Sequence, residues 1–190
     1  MPDRRRRPFT LLDAAALVAA VAFGLAWFRF VGWHRWTSWG GARGLTSPRD
    51  WVYWKDHALR AAQMATPFAA ALAPTLLALS LRSPRPRLRR LGRRPGVVAC
   101  LAASVALADR AVGVASLTWK TYLTDFRWRD DFQSACLFLP HEEGLAVAVA
   151  WLVLGLSGRL RPEPTWLDRA GRALGACFLA CAALRWVYYW

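Results

Sequence analysis

An arginine-rich stretch in the middle of the chain is the feature that most constrains what this sequence can form. Residues 82–95 carry seven arginines and no acidic residue, and they lie between two long apolar runs. Pro84, Pro86 and Pro95 prevent either run from continuing across the stretch as a helix, because proline lacks an amide donor and restricts the residue before it. A cationic loop between apolar runs of membrane-spanning length is typical of the cytoplasmic side of a membrane protein. The stretch therefore predicts both a membrane fold and its orientation.

The composition agrees with a membrane protein rather than a soluble one. Of the 190 residues 56% are hydrophobic and 20% are charged, and the charges are clustered between the apolar runs. A net charge of +14 would suggest nucleic acid as the partner of a soluble chain. Here loops on one side of a membrane account for most of that charge. We therefore expect no nucleic-acid partner.

Five apolar segments predict an all-α, polytopic helical membrane protein with about five transmembrane helices and short loops. The segments cover approximately residues 9–33, 59–81, 96–118, 141–158 and 167–190 of a single integral membrane domain. The first is too long for the core of a secretion signal and is read as a retained span. The fifth has the weakest signal, because its apolar centre is short for a span.

Local patterns indicate where the loops lie and where three of the helices begin. Polar, aromatic-rich loops are predicted at residues 34–58 and 119–140. Within the first loop, Ser47, Pro48 and Asp50 predict a helix start, and this helix would lie along the membrane surface and then turn into or run on as the second span. Pro140 followed by two glutamates predicts the start of the fourth helix, since proline suits a first turn and acids oppose the positive end of the helix dipole. Thr165 and Asp168 form a capping pattern that predicts the start of the fifth helix.

The distribution of charge predicts the orientation. The N-terminal, central and 159–172 segments hold fifteen arginines against three acids, a net charge of +12. The segments on the other side hold nine cations against seven acids, a net charge of +2. The positive-inside rule therefore predicts a multi-pass protein of a bacterial-type inner or plasma membrane, with a cytoplasmic N-terminus and an external C-terminus. The basic cytoplasmic loops are expected to contact anionic lipid.

Ionisable residues within the apolar segments define a candidate intramembrane polar site. Such residues are costly in a bilayer and usually pair or face water. The site comprises Asp109, Arg110, Arg29, Glu142 and Glu143. Arg29 falls at a depth comparable to that of Asp109, so a structural ion pair between them is one interpretation. The alternative is a polar pocket that opens outward.

No motif predicts a catalytic residue, a cofactor or a metal site. His141 and the glutamate after it lack the second histidine of an HExxH zinc site. His34, His57 and His141 all map to the outer side, where exposed loop histidines are commoner than a metal or haem ligand set. Cys177 and Cys181 are spaced C-x3-C, which favours packing on a helix over a redox or zinc site.

The aromatic residues are the last indication of function. Nine of the twelve tryptophans map to the outer side, where they suit the membrane interface or could form a surface for a partner. The sequence therefore favours a non-enzymatic accessory, assembly or partner-binding protein, with another membrane protein as its partner. The alternative is a small membrane enzyme or carrier for a lipid-like substrate, with an outward-facing pocket around Asp109, Arg110, Glu142 and Glu143.

Overall fold

The computed structural model describes residues 9–39, 51–82, 91–121, 128–159 and 165–189, which form five long helices and no strand. The helices are α1 (Leu11–Trp39), α2 (Trp51–Leu81), α3 (Pro95–Thr121), α4 (Trp128–Leu156) and α5 (Trp166–Tyr189). Each contains a window long and apolar enough to cross a membrane: Leu11–Arg29, Met64–Leu81, Pro95–Ser116, Leu139–Leu156 and Trp166–Val187. The predicted all-α membrane fold is confirmed, and the window in the fifth helix is 22 residues long.

Large parts of the two predicted outer loops are helical. α1 continues to Trp39, so the expected start of the first loop at residue 34 was wrong. α2 begins at Trp51, close to the predicted helix start at residues 47–50, and runs on into the second span as one helix. Likewise α3 continues to Thr121 and α4 begins at Trp128. A helix has no need to stop where its apolar window stops, because water and headgroups can solvate polar side chains beyond it.

Pro140 lies inside α4, so the predicted helix start at this position was wrong. The pattern of a proline followed by acids resembles a first turn, but the helix begins twelve residues earlier. Proline removes one backbone donor from the helix interior, and membrane helices tolerate this because neighbouring groups can satisfy the freed carbonyl. The C-terminal end was predicted correctly: α4 ends at Leu156, and Gly158 follows it with a positive φ of 61°.

Helices α2 to α5 pack together around small side chains, and α1 packs chiefly against α2. The buried core consists of Ala69, Ala73, Ala99, Ala103, Val147 and Phe178. Four of these six are alanines, which let helix backbones approach closely in a membrane protein. Cys100 and Cys181 are buried free thiols, whereas Cys177 is exposed.

The tightest approach is between α3 and α5. A side chain at Gly96 would collide with the backbone of Asp168, and a Cβ at Gly171 would lie 2.5 Å from the carbonyl oxygen of Gly96. A Cβ at Gly175, one turn further on, would meet the Trp151 ring and Ala99. Glycine is therefore needed at this crossing, where two backbones are in direct contact.

Candidate intramembrane polar site

Arg110 and Glu142 form the one ion pair among the described residues that joins two of the predicted site residues. The Nη1 atom of Arg110 lies 3.2 Å from the Oε1 atom of Glu142, which links α3 to α4. Each side chain is about one-third exposed, at 35% and 38% respectively. The pair therefore neutralises two charges within membrane-spanning windows while it stays open to one side of the bundle.

Asp109 and Arg29 are both exposed, on faces that point away from the bundle. α1 packs chiefly against α2, and no salt bridge between Arg29 and Asp109 is present in the described part of the chain. Asp109 points away from the Arg110–Glu142 pair because adjacent residues on a helix differ by about 100° in direction. The structure thus separates Asp109 from the four other predicted site residues.

Glu143 is fully buried between α4 and its neighbours. Neither of its carboxylate oxygens has a hydrogen-bond partner among the described residues. The next residue, Gly144, lies directly against the Phe178 backbone and Ala182 on α5, and Glu143 is within electrostatic reach of Cys181. Glu142 and Glu143 therefore lie in different environments: Glu142 is paired and about one-third exposed, whereas Glu143 is enclosed by packing.

The structure describes the side chain of only one of the three histidines, His141. The Nδ1 atom of His141 is buried and has no hydrogen-bond partner among the described residues. His34 and His57 lie on helices, but their side chains are outside the described residues. Within the described ranges no group of three or more His, Cys, Asp or Glu side chains is close enough to hold a metal ion.

Two buried aspartates lie at the other end of the bundle, where α1, α3 and α5 begin, and were not predicted as a cluster. Asp13 and Asp168 are 0% and 1% exposed and occupy the first turns of α1 and α5. Asp13 accepts a hydrogen bond from the Thr10 amide at 3.0 Å, while its own amide donates to the Thr10 hydroxyl at 3.3 Å. This reciprocal arrangement is a capping box, and the Thr-x-x-Asp spacing in the sequence was the signal for it.

Asp168 connects the N-terminal ends of α3 and α5. Its amide donates to the Thr165 hydroxyl at 3.3 Å, which confirms the predicted cap of α5. Its Oδ1 atom accepts a buried hydrogen bond of 2.9 Å from the Gly96 amide at the start of α3, 72 residues away. Its Oδ2 atom lies 3.4 Å from Nε of Arg172. One carboxylate therefore satisfies donors on two chain segments.

Further contacts at this end of the bundle join the other helices. Arg82 at the end of α2 lies 4.0 Å from Asp13, and the Phe9 ring meets the Trp166 ring edge-on with centroids 5.1 Å apart. Trp151 on α4 donates a hydrogen bond of 2.9 Å to the Pro95 carbonyl. The starts of α1, α3 and α5 and the end of α2 thus lie at one end of the bundle, as an alternating arrangement of five helices requires.

Comparisons with known proteins add no assignment to this geometry. No family model, no curated protein and no solved structure matches the chain.

Proposed function

We propose that the protein is a non-enzymatic integral membrane protein that serves as an accessory, assembly or partner-binding component. The observation that carries this proposal is the dispersal of its intramembrane ionisable groups. Arg110 and Glu142 neutralise each other, Asp109 lies on an outward face, and Glu143 is enclosed by packing. A catalytic or transport site requires such groups to converge on one cavity.

The basic, inner end of the bundle is proposed to face the cytoplasm of a bacterial-type inner or plasma membrane. The support is the net charge of +12 in the segments at that end against +2 at the other. In this orientation the central arginines would contact anionic lipid, at about 1 kcal/mol for each cation near the surface. The N-terminus would be cytoplasmic and the C-terminus external.

The proposed partner surface is the aromatic outer end of the helices. Beyond their apolar windows α1 continues for residues 30–39 and α2 begins with residues 51–63. At about 1.5 Å per residue these extensions are about 15 to 20 Å long. They carry the tryptophans at positions 33, 36, 39, 51 and 54. Tryptophan is enriched at protein interfaces, so five tryptophans on these two extensions suit contact with another membrane protein near the outer interface.

Three variants test the proposal. Replacing Trp33, Trp36 and Trp39 with alanine should abolish chemical cross-linking to the partner in intact membranes and reproduce the phenotype of a gene deletion. The paired change Arg110→Gln with Glu142→Gln removes both charges and keeps polar side chains at both positions, and it should leave cross-linking and phenotype unchanged. The matched control for the tryptophans replaces three exposed apolar residues of α4 with alanine: Val149, Leu152 and Val153. If the control behaves like the tryptophan variant, no specific surface has been identified.

A second candidate, a carrier or enzyme for a lipid-like substrate, is favoured by one observation. Glu143 is fully buried with both oxygens lacking a partner among the described residues, which is costly for a carboxylate and is usually retained for a function. The Arg110 and Glu142 variants discriminate the two candidates. If they fold and still cross-link to the partner but lose the phenotype, the polar residues are a site and the accessory role is wrong.

A further inference from the structure

Arg29 and Asp109 lie at similar heights in the bundle, although they are on separate helices. The heights follow from the packing of α1 on α2: a Cβ at Gly24 would lie 3.0 Å from the Cα of Phe68. Arg29 is five residues beyond Gly24, so it lies about 8 Å further toward the outer side.

The height of Asp109 follows from the core. Ala69, next to Phe68 in α2, belongs to the same buried cluster as Ala103 of α3. Asp109 is six residues beyond Ala103, or about 9 Å further outward along a helix that runs in the same direction as α1. The two opposite charges therefore lie at similar heights, to within about one helical turn.

The free face of α1 is a regular stripe that ends in Arg29. Only 17% of the apolar window of α1 is buried in the molecule. The residues opposite its contact with α2 recur at spacings of four and three, all of them exposed: Leu11, Ala15, Val18, Ala22, Leu25 and Arg29. A repeat of 3.5 residues with alternating small side chains is the pattern by which one helix packs along another.

The free face of α3 has the same spacing and carries Asp109 at its border. Its exposed members are Leu101, Val105, Ala108, Asp109 and Val112. Asp109 lies seven residues before Ser116, the end of the apolar window, and so about 10 Å from the outer limit of that window. Arginine can extend to the interface from such a depth, but the short aspartate side chain cannot. An acid at this position would be stabilised by a cation that reaches it from the lipid-facing side.

We propose that this cation is Arg29 of a second copy of the chain. The α1 stripe of one copy would pack in parallel along the α3 stripe of the next, with the alanines allowing close approach and with Arg29 against Asp109 of the partner subunit. Both helices begin at the inner end of the bundle, so the parallel packing keeps both copies in the same orientation. The contact joins two different faces, so repetition of it gives a ring if the rotation between copies closes and an open row of copies if it does not. It is independent of what the aromatic outer end binds.

Cysteine cross-linking between differently tagged copies tests the contact directly. One copy carries Arg29→Cys and the other Asp109→Cys, in a background where Cys136 and Cys177 are replaced by serine and the buried Cys100 and Cys181 are kept. An arginine–aspartate ion pair can hold its Cα atoms further apart than the about 4.4 to 6.8 Å that a disulfide requires, so a short bismaleimide is used in place of oxidation. Treatment of co-expressing membranes should yield a product that carries both tags. The control pairs Arg29→Cys with Val153→Cys, on an exposed face of α4. Cross-linking no greater than in this control overturns the proposal.

Exchange of the two charges tests the role of the ion pair. Arg29→Asp or Asp109→Arg alone should lower the association constant in lipid bilayers about tenfold, the size expected for one polar contact between membrane helices. The double variant, which carries both changes in every copy, should restore association. Each variant should keep the thermal stability of the single chain, because both side chains are exposed in it. Unchanged association in the single variants, or no recovery in the double variant, overturns the proposal. The variant in which alanine replaces Trp33, Trp36 and Trp39 should associate like the parent, because this contact does not involve the aromatic outer end.

Discussion

Replacing Asp168 with alanine removes one carboxylate that serves the N-terminal ends of two helices. The buried hydrogen bond from the Gly96 amide would lose its acceptor, and the amide could not turn to solvent because α5 lies directly against it. The contact with Arg172 would be lost as well. The Thr165 cap would remain, since there Asp168 contributes only its backbone amide.

The size of the effect can be estimated from these contacts. A hydrogen bond to a charged acceptor contributes about 1.5 to 3 kcal/mol, and leaving its buried donor unsatisfied costs a comparable amount. The charge also stabilises the positive ends of α3 and α5 by about 0.3 to 1 kcal/mol each. The half-exposed pair with Arg172, one turn along the helix, adds only about 0.5 kcal/mol. We therefore expect Asp168→Ala to lower the free energy of unfolding by about 2 to 5 kcal/mol.

The measurement is reversible unfolding in mixed micelles, followed by tryptophan fluorescence or circular dichroism. Asp168→Asn keeps an oxygen acceptor for the Gly96 amide and loses only the charge, so it should cost about 1 to 2 kcal/mol. Arg169→Ala, the exposed neighbour on the same turn, is the control and should stay within about 0.5 kcal/mol of the parent. An alanine variant as stable as this control would refute the role assigned to Asp168.

Three further outcomes follow from the same structure. Trp151→Phe should lower the free energy of unfolding by about 1 kcal/mol, because it removes the indole donor to the Pro95 carbonyl but keeps an aromatic ring. Stability equal to that of the parent would contradict this hydrogen bond. Glu143→Leu should leave the free energy of unfolding unchanged or raise it, since an apolar side chain of similar size replaces an enclosed carboxyl group. A loss of about 2 kcal/mol or more would mean that the carboxyl group has a partner. Reporter fusions after Gly92 should read cytoplasmic and those after Trp190 external, and a cytoplasmic reading at Trp190 would exclude the proposed orientation.

The membrane fold could be predicted from the sequence because its causes are local. A helix of about twenty apolar residues satisfies its own backbone hydrogen bonds, so length and hydropathy were enough to find all five spans. The caps of the helices are equally local: Thr165 and Asp168 were predicted, and Thr10 and Asp13 follow the same spacing. Pro140 misled the prediction because the same local pattern can begin a helix or lie within one.

Which polar groups meet could be decided only by the tertiary structure. The sequence predicted similar depths for Arg29 and Asp109. Depth alone does not determine whether two side chains meet, because the direction in which each helix face points depends on how neighbouring helices pack. Packing places Arg110 against Glu142, and encloses Glu143 one residue further on. The bond from Gly96 to Asp168 likewise depends on the glycine contact between α3 and α5. Such contacts join residues far apart in the chain, so no local sequence pattern specifies them. They depend on the small side chains at each helix crossing, which determine how closely two helices approach and which faces meet.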